Sequence, residues 1–332
     1  MRADVRATLP LTATNEKDYA GAVEFSRKIR WFRWVVLWWL APTAWAGSQL
    51  IHVASYNVEN YLDAPSGTRH AKTPAAQAKV CQSILALKPD VIALQEIGST
   101  NALLELQARL REGGLDLQYW DWVAGHDTNI HVAVLSRFPI LARQAHTNES
   151  FLLEGRRLEV SRGFAEVEIQ PNPRFTFTLI AAHLKSRRAT AVADEEEWRY
   201  EEALALRELI DTRLGQNPGQ DMIVLGDFND IKDSKPIRAL MGRGRSRLFD
   251  TRPAERNGDD PALSSASHES RRVTWTHYYG VEDVYSRIDY ILLSPDMRRY
   301  WVPAETYILA LPNWGMASDH RPVMAGFAVP GP

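Results

Sequence analysis

The feature that most constrains the fold is a series of apolar runs, spread over the chain, that each end in strongly polar residues. Val91-Ile92-Ala93-Leu94 stops at Gln95-Glu96, and Met222-Ile223-Val224-Leu225 stops at Gly226-Asp227-Phe228-Asn229. The run over residues 175–182 ends in His183-Leu184-Lys185-Ser186, and the run from Leu50 ends in Ser55-Tyr56-Asn57. Arg287-Ile288-Asp289-Tyr290 has the same form, and Ser318-Asp319-His320 closes the series. Continuous β-branched and aliphatic runs suit strands covered on both faces. Such strands deliver their terminal metal-, phosphate- or proton-binding side chains to one edge of a sheet, which is how an active site is spaced along a chain.

Periodic segments continue without a long Pro/Gly/Ser-rich linker from about residue 50 to about residue 327 of the 332. Residues 47–332 therefore read as one domain, large enough to bury a substantial core. Strands are expected at 50–57, 91–96, 130–135, 157–160, 163–169, 175–183, 222–227, 287–293 and 322–327. Helical spacing covers 74–88, 100–112 and 194–214, the last opening on Asp194-Glu195-Glu196-Glu197, which suits the helix dipole. Helices falling between apolar strands predict two packed sheets with helices outside, although periodicity alone leaves a three-layer α/β arrangement open.

Residues 1–46 differ in kind. Arg27-Lys28-Ile29-Arg30-Trp31-Phe32-Arg33 is basic, Trp34 opens a short apolar run to Leu40, and Ala44-Trp45-Ala46 has the small-x-small form of a signal-peptidase site. Together they predict an N-terminal extension with an export signal, cleaved before Gly47, and hence a periplasmic or secreted protein. An uncleaved, Trp-rich interfacial anchor is the alternative. Because some two dozen residues precede the basic segment, translation is expected to start nearer that segment than Met1. Cys81 is the only cysteine, which excludes an intramolecular disulfide and a Cys-based zinc site. The formal charge of -2 becomes -5 once residues 1–46, with seven basic and four acidic residues, are removed. That argues against a protein coated with basic residues for nucleic acid, but not against a local cationic groove.

Glu96, Asp227, Asp289 and Asp319 each follow or interrupt apolar sequence, where an unpaired carboxylate is costly. A compensating cation is needed, and oxygen ligands without clustered Cys favour Mg²⁺, Mn²⁺ or Ca²⁺ over zinc. His320 adjoins Asp319, and Asp289 can orient it by accepting a ring N–H, as a general base or an electrostatic clamp requires. His183 is placed to stabilise an oxyanion or protonate a leaving oxygen. Asn57 and Asn229 offer amide donors for a phosphate oxygen or a water. Arg162, Lys185 and Arg188 are candidates to bind substrate phosphate. Taken singly, each of these residues has an ordinary structural reading as a salt bridge, a core histidine or a surface charge.

In combination and order, Asn57, Gln95-Glu96, His183, Gly226-Asp227-Phe228-Asn229, Asp289 and Ser318-Asp319-His320 resemble the endonuclease/exonuclease/phosphatase superfamily over about residues 50–328. The resemblance implies an α/β fold, a four-layer αββα sandwich with two packed mixed β-sheets and the site at one edge. It implies Glu96 as principal metal ligand with Asn57 and Asp319 nearby, Asp227 positioning or deprotonating the attacking water, and Asn229 holding the phosphate. Asp289 would orient His320, which contacts the phosphate or acts as base. His183 matches the branches resembling deoxyribonuclease I and sphingomyelinases, where the repair nucleases have tyrosine.

The expected function is a Mg²⁺-dependent phosphodiester hydrolase, foremost a nuclease acting as a monomer on nucleic acid, with no obligate protein partner. Lys185-Ser186-Arg187-Arg188 and Arg243-Gly244-Arg245-Ser246-Arg247 offer cations to a phosphate backbone, and Trp275-Thr276-His277-Tyr278-Tyr279 offers rings for stacking or packing. A phosphomonoesterase or a phospholipid or small-diester phosphodiesterase is the alternative, and a non-enzymatic binding protein the lesser one. Residues 252–272 carry no aromatic side chain, which disfavours a lipid-inserting hairpin there.

Overall fold

The computed structural model describes residues 47–256 and 273–332, so the predicted export signal lies outside the described residues, as does most of the polar stretch 252–272. The first large sheet runs, in spatial order, β15 (Trp301–Ile308), β16 (Val323–Pro330), β1 (Ser48–Tyr61), β2 (Val91–Ile97), β4 (His131–Ser136) and β3 (Tyr119–Val123). The second runs β11 (Phe249–Asp250), β14 (Asp289–Leu293), β10 (Met222–Asp227), β9 (Phe175–His183), β8 (Phe164–Asn172) and β5 (Ile140–His146). Two small hairpins add β6 (Ser150–Leu153) with β7 (Arg156–Glu159), and β12 (His277–Tyr279) with β13 (Val284–Ser286). The α-helices are α1 (Pro74–Leu87), α2 (Thr100–Glu112), α3 (Glu195–Gln216) and α4 (Lys235–Met241).

Both large sheets are mixed: β1 pairs in parallel with β2, and β9 with β10, while the other ladders are antiparallel. Alternation along each strand sorts its side chains between two layers. Ile51 and Val53 of β1, Val91 and Ala93 of β2, and Ile223 and Leu225 of β10 meet between the sheets. Their neighbours Ala54, Tyr56, Ile92 and Leu94 pack outward against Val80, Ile84, Leu103 and Leu106 of α1 and α2. Val224 and Leu292 pack against Leu206, Ile210, Ile237 and Leu240 of α3 and α4. The layers are thus helix, sheet, sheet and helix, the αββα sandwich expected from the resemblance, and the three-layer alternative is set aside.

Register brings the polar strand ends together. Asn57 lies opposite Gln95, and Asp227 lies opposite both His183 and Asp289. Parallel pairing puts the C-terminal ends of β1 and β2 on one edge, and likewise those of β9 and β10, while β14 runs antiparallel and begins there. One expectation needs correction. β1 does not end at Asn57 but continues to Tyr61 through a bulge at which Glu59 and Asn60 take positive φ of 44° and 52°. That extra turn re-aims Glu59 and Asn60 towards the site.

Candidate active site

At the centre is a chain of hydrogen-bonding groups between the two sheets. His320 Nδ1 lies 2.9 Å from Asp289 Oδ2, and its Nε2 is 3.6 Å from Asp227 Oδ2. Asp227 Oδ2 also accepts from Asn57 Nδ2 at 2.9 Å and lies 3.5 Å from His183 Nε2. Its Oδ1 accepts the backbone N–H of Asn229 at 2.9 Å, while Asn229 Nδ2 donates to the Leu184 carbonyl. Ser318 shapes the other end, its hydroxyl donating to the Asn57 carbonyl and accepting the His320 N–H. Asn57, His183, Asp227, Asp289 and His320 are all at most 5 % exposed, so each interacts in a medium where charge is felt strongly.

Burial and charge separate the roles of the two histidines. Burial lowers the pKa of both, but for His320 the nearby Asp289 and Asp227 carboxylates outweigh it and hold the ring well above the ordinary histidine value. His183 has no such compensation: burial, then the Arg162 and His320 charges, push it well below. Burial also raises the Asp227 carboxyl to about 6, against the opposing charge of His320. The surroundings thus favour the imidazolium at His320 and the neutral imidazole at His183. An imidazolium at His320 suits the electrostatic clamp, one of the two roles expected of it.

His183, Asp227, Asn229 and His320 border a cleft of about 630 Å³ that is also lined by Glu59, Asn60, Arg69, Glu96, Arg162, Arg187, Arg188, His277, Tyr279 and Asp319. Glu96, the penultimate residue of β2, has a φ of 64° and accepts the Asn60 N–H at 3.0 Å, with Arg69 at 3.5 Å. Burial, then the Asp319 charge, raises the Glu59 carboxyl, although Lys72 pairs with it at 3.3 Å. Asp319 is pushed up by burial and more than restored by the His277 hydrogen bond and the His320 and His277 charges, ending below the ordinary carboxylate range.

Two triads of metal-competent atoms come within 4.8 Å of one another among the described residues: His277, Asp319 and His320, and Asp227, Asp289 and His320. Both need His320, whose ring is already committed to Asp289, and Glu96 belongs to neither. The carboxylates of Glu59, Glu96 and Asp319 share the cleft without converging as a closed cage. That donor set fits a hard divalent cation such as Mg²⁺, which keeps several waters and takes one or two carboxylates plus substrate phosphate. Asn57 stands behind this set, its Oδ1 accepting the Glu59 N–H at 2.9 Å.

Among the phosphate-binding candidates, Arg162 and Arg188 line the cleft and Lys185 does not. The Lys185 ammonium turns back to the Ser186 and Arg188 carbonyls, both at 3.3 Å, and lies over the Trp198 ring. Its neighbour Arg187 occupies the cleft instead, anchored on the Asn229 carbonyl at 3.1 Å and Asp230 at 3.2 Å. In this arrangement Lys185 anchors its loop, and Arg187 lines the cleft beside Arg162 and Arg188. Arg69 was not identified from sequence, and Glu59 and His277 were not assigned to the site, since all three lie outside the apolar runs. The Asn129-Ile130-His131 segment supports the cleft from outside, Asn129 bonding Ser66 and Asp127, and His131 packing on Trp122 at 4.4 Å. Trp275 packs between Arg321, Tyr285 and Trp314, so of the aromatic segment only His277 and Tyr279 reach the cleft.

An αββα sandwich with an Asp-His-Asp chain at one edge defines a phosphoesterase fold. The chain belongs to the endonuclease/exonuclease/phosphatase family, whose sequence model matches residues 54–320. Among solved structures, the catalytic domain of human Nocturnin with bound sulfate anion aligns at 16 % identity and a TM-score of 0.57, covering 84 % of this chain and 94 % of that one. The endonuclease/exonuclease/phosphatase from Bacteroides vulgatus aligns at 16 % identity and 0.56, covering 85 % and 100 %. D. rerio TDP2 complexed with single strand DNA product aligns at 15 % and 0.53, covering 84 % and 99 %. At such identities the likeness establishes the fold. A search of curated proteins finds no match.

Proposed function

We propose that this protein is an exported, divalent-metal-dependent phosphodiester hydrolase acting on nucleic acid. The observation that carries the chemistry is the Asp289–His320–Asp227 chain, which keeps one cation and one carboxylate ready on a single cleft wall. Asp227, as carboxylate, accepts a proton from a water in the cleft, while Asn57 Nδ2 donates to the same carboxylate and fixes its orientation. His320, as imidazolium, donates to a nonbridging phosphate oxygen whose charge grows during in-line attack. Asn229 keeps Asp227 aimed through its N–H, and the Arg162 and Arg188 guanidinium groups orient the phosphate from the cleft. His183 is neutral and presents Nε2 3.5 Å from Asp227, placing it to share a proton with that carboxylate or with a leaving oxygen. Glu96, with Glu59 and Asp319, would hold Mg²⁺, Mn²⁺ or Ca²⁺, which supplies Lewis-acid stabilisation of the phosphoryl oxygens.

Support for nucleic acid comes from the single strand DNA product bound by the structurally similar D. rerio TDP2, and from the arginines at the cleft. The test is nicking of supercoiled plasmid in Mg²⁺ and in EDTA, with His320→Ala as control. Metal-dependent nicking that falls about 10² to 10³-fold in the variant is expected from loss of one transition-state donor. Folded protein that does not nick moves the reading to small or lipid phosphoesters. Export is proposed from the basic segment, the apolar run and Ala44-Trp45-Ala46. Intact mass of protein recovered outside the cytoplasm should correspond to a start at Gly47.

A further inference from the structure

A second concavity, about 600 Å³, lies along α4 and the loop after it. Lys232, Lys235, Arg238, Arg243, Arg247 and Arg252 line it against two acids, Asp233 and Asp250. Lys235 is paired with Glu197 at 2.8 Å, and Asp250 is held by Arg287 at 2.6 Å. Arg238, Arg243 and Arg247 are exposed, and no carboxylate among the described residues pairs with them. In a chain whose net charge is -2, this is a local concentration of uncompensated cations, not the average surface.

The loop is also pre-shaped. Buried Arg207 of α3 donates to the Leu240 carbonyl at 3.2 Å and to the Ser246 carbonyl at 2.9 Å, fixing both ends of the arginine-bearing turn. At Gly242, with φ of 65°, an added Cβ would lie 2.5 Å from that guanidinium, so the chain passes close against it. The groove adjoins the cleft twice. Lys232 follows Asn229 by three residues, at most about 11 Å of extended chain, or roughly three nucleotide steps along a duplex axis. Arg287, which holds Asp250, precedes Ile288, a cleft residue.

We propose that this groove is a second binding site for a polynucleotide backbone, holding phosphates remote from the one being cleaved. The proposal rests on the phosphodiesterase reading above and makes the substrate a strand instead of a small ester. A concave polar groove favours a strand over a bilayer, which takes an apolar face.

The test is fluorescence anisotropy of a labelled oligothymidylate of about 20 nucleotides with the full chain in EDTA, over a salt series. Combined Arg238→Glu, Arg243→Glu and Arg247→Glu should weaken binding at least about tenfold and reduce the log–log salt slope by about 2, at about 0.7 per phosphate on single strands. Hydrolysis of bis-p-nitrophenyl phosphate in Mg²⁺ should be unchanged by the same substitutions, which also reports folding. Arg→Lys at the three positions should retain most of the affinity. Lys88→Glu, Arg111→Glu and Arg174→Glu together should bind as wild type. Unchanged affinity in the first variant, or equal loss in the Lys88/Arg111/Arg174 control, overturns the groove. So does DNA binding retained while binding to phosphatidylserine vesicles is lost. A wild-type protein inactive on both plasmid and small diester sinks the phosphodiesterase reading, while the anisotropy still decides the groove.

Discussion

Asp289 and Asp227 are carboxylates within reach of one imidazole, yet the fold gives them different work. Asp289 meets His320 Nδ1 at 2.9 Å and orients the ring; Asp227 faces Nε2 at 3.6 Å, beyond direct hydrogen-bond distance. Asp289→Asn removes the foremost charge that raises His320, so an NMR titration of that ring should show its pKa falling. The rate should drop by about 10² to 10³ with it. An unaltered His320 titration would show that Asp289 does not charge the ring. Elsewhere, Asp221 carries a buried Oδ1 without a partner, and burial raises its carboxyl to about 6. A raised carboxyl favours the folded state as pH falls through that value and opposes it above. Asp221→Asn should therefore be more stable than wild type at pH 8, with the advantage gone below about pH 4 by chemical denaturation at each pH. At this scale His183, Asp227, Asp289 and His320 were legible because each ends or interrupts an apolar run. Arg69 was not, because it lies in a loop, nor were Glu59 and His277, which lie on strands outside the continuous apolar runs that mark the other site residues. That the Lys185 ammonium turns back to the Ser186 and Arg188 carbonyls was not legible, because a position after a strand does not say which way a long side chain turns.

Single elements hold the Asp227 carboxylate in place. Gly226 immediately precedes Asp227 at a φ of 142°, and an added Cβ would fall 1.9 Å from the Ala182 carbonyl oxygen of the neighbouring strand. Gly226→Ala should cost at least about 2 kcal/mol from backbone strain and overpacking. Urea denaturation measures that cost, and activity should fall further than the unfolded fraction explains, because Asp227 shifts with its strand. A fully active, equally stable variant would refute the close approach. Elements with continuous apolar runs or strong caps were legible, such as β9 and β10, or α3 with Asp194 accepting the Glu196 and Glu197 N–H groups. The strands β3, β5 and β15 were not. β5 is exposed over its five central residues and β15 is mostly half-buried, so edge position erases the alternation that marks an inner strand.

Across the molecule, long-range ion pairs tie layers that sequence keeps apart. Glu166 of β8 accepts from Arg213 of α3 at 2.7 and 2.9 Å and bonds His146 at the end of β5 at 2.7 Å. Burial pushes its carboxyl up, but the His146 and Arg213 hydrogen bonds prevail and hold it below the ordinary 4.5. A depressed carboxyl stabilises the fold above its unfolded pKa and loses that contribution as pH falls through its folded value. Glu166→Gln should thus lower stability by about 1 kcal/mol at pH 7, with the gap to wild type closing as pH drops below 4.5. A gap that persists into acid would assign the loss to packing. By itself the sequence determined which runs are buried and where polar residues interrupt them, because apolar burial and strand alternation are set by neighbours along the chain. Only the tertiary structure decided that Asn57 and His320, 263 residues apart, would meet at one carboxylate. It also decided that Asp289 meets His320 and that Arg187, not Lys185, lines the cleft. Those outcomes depend on through-space distances and burial, which no local pattern encodes.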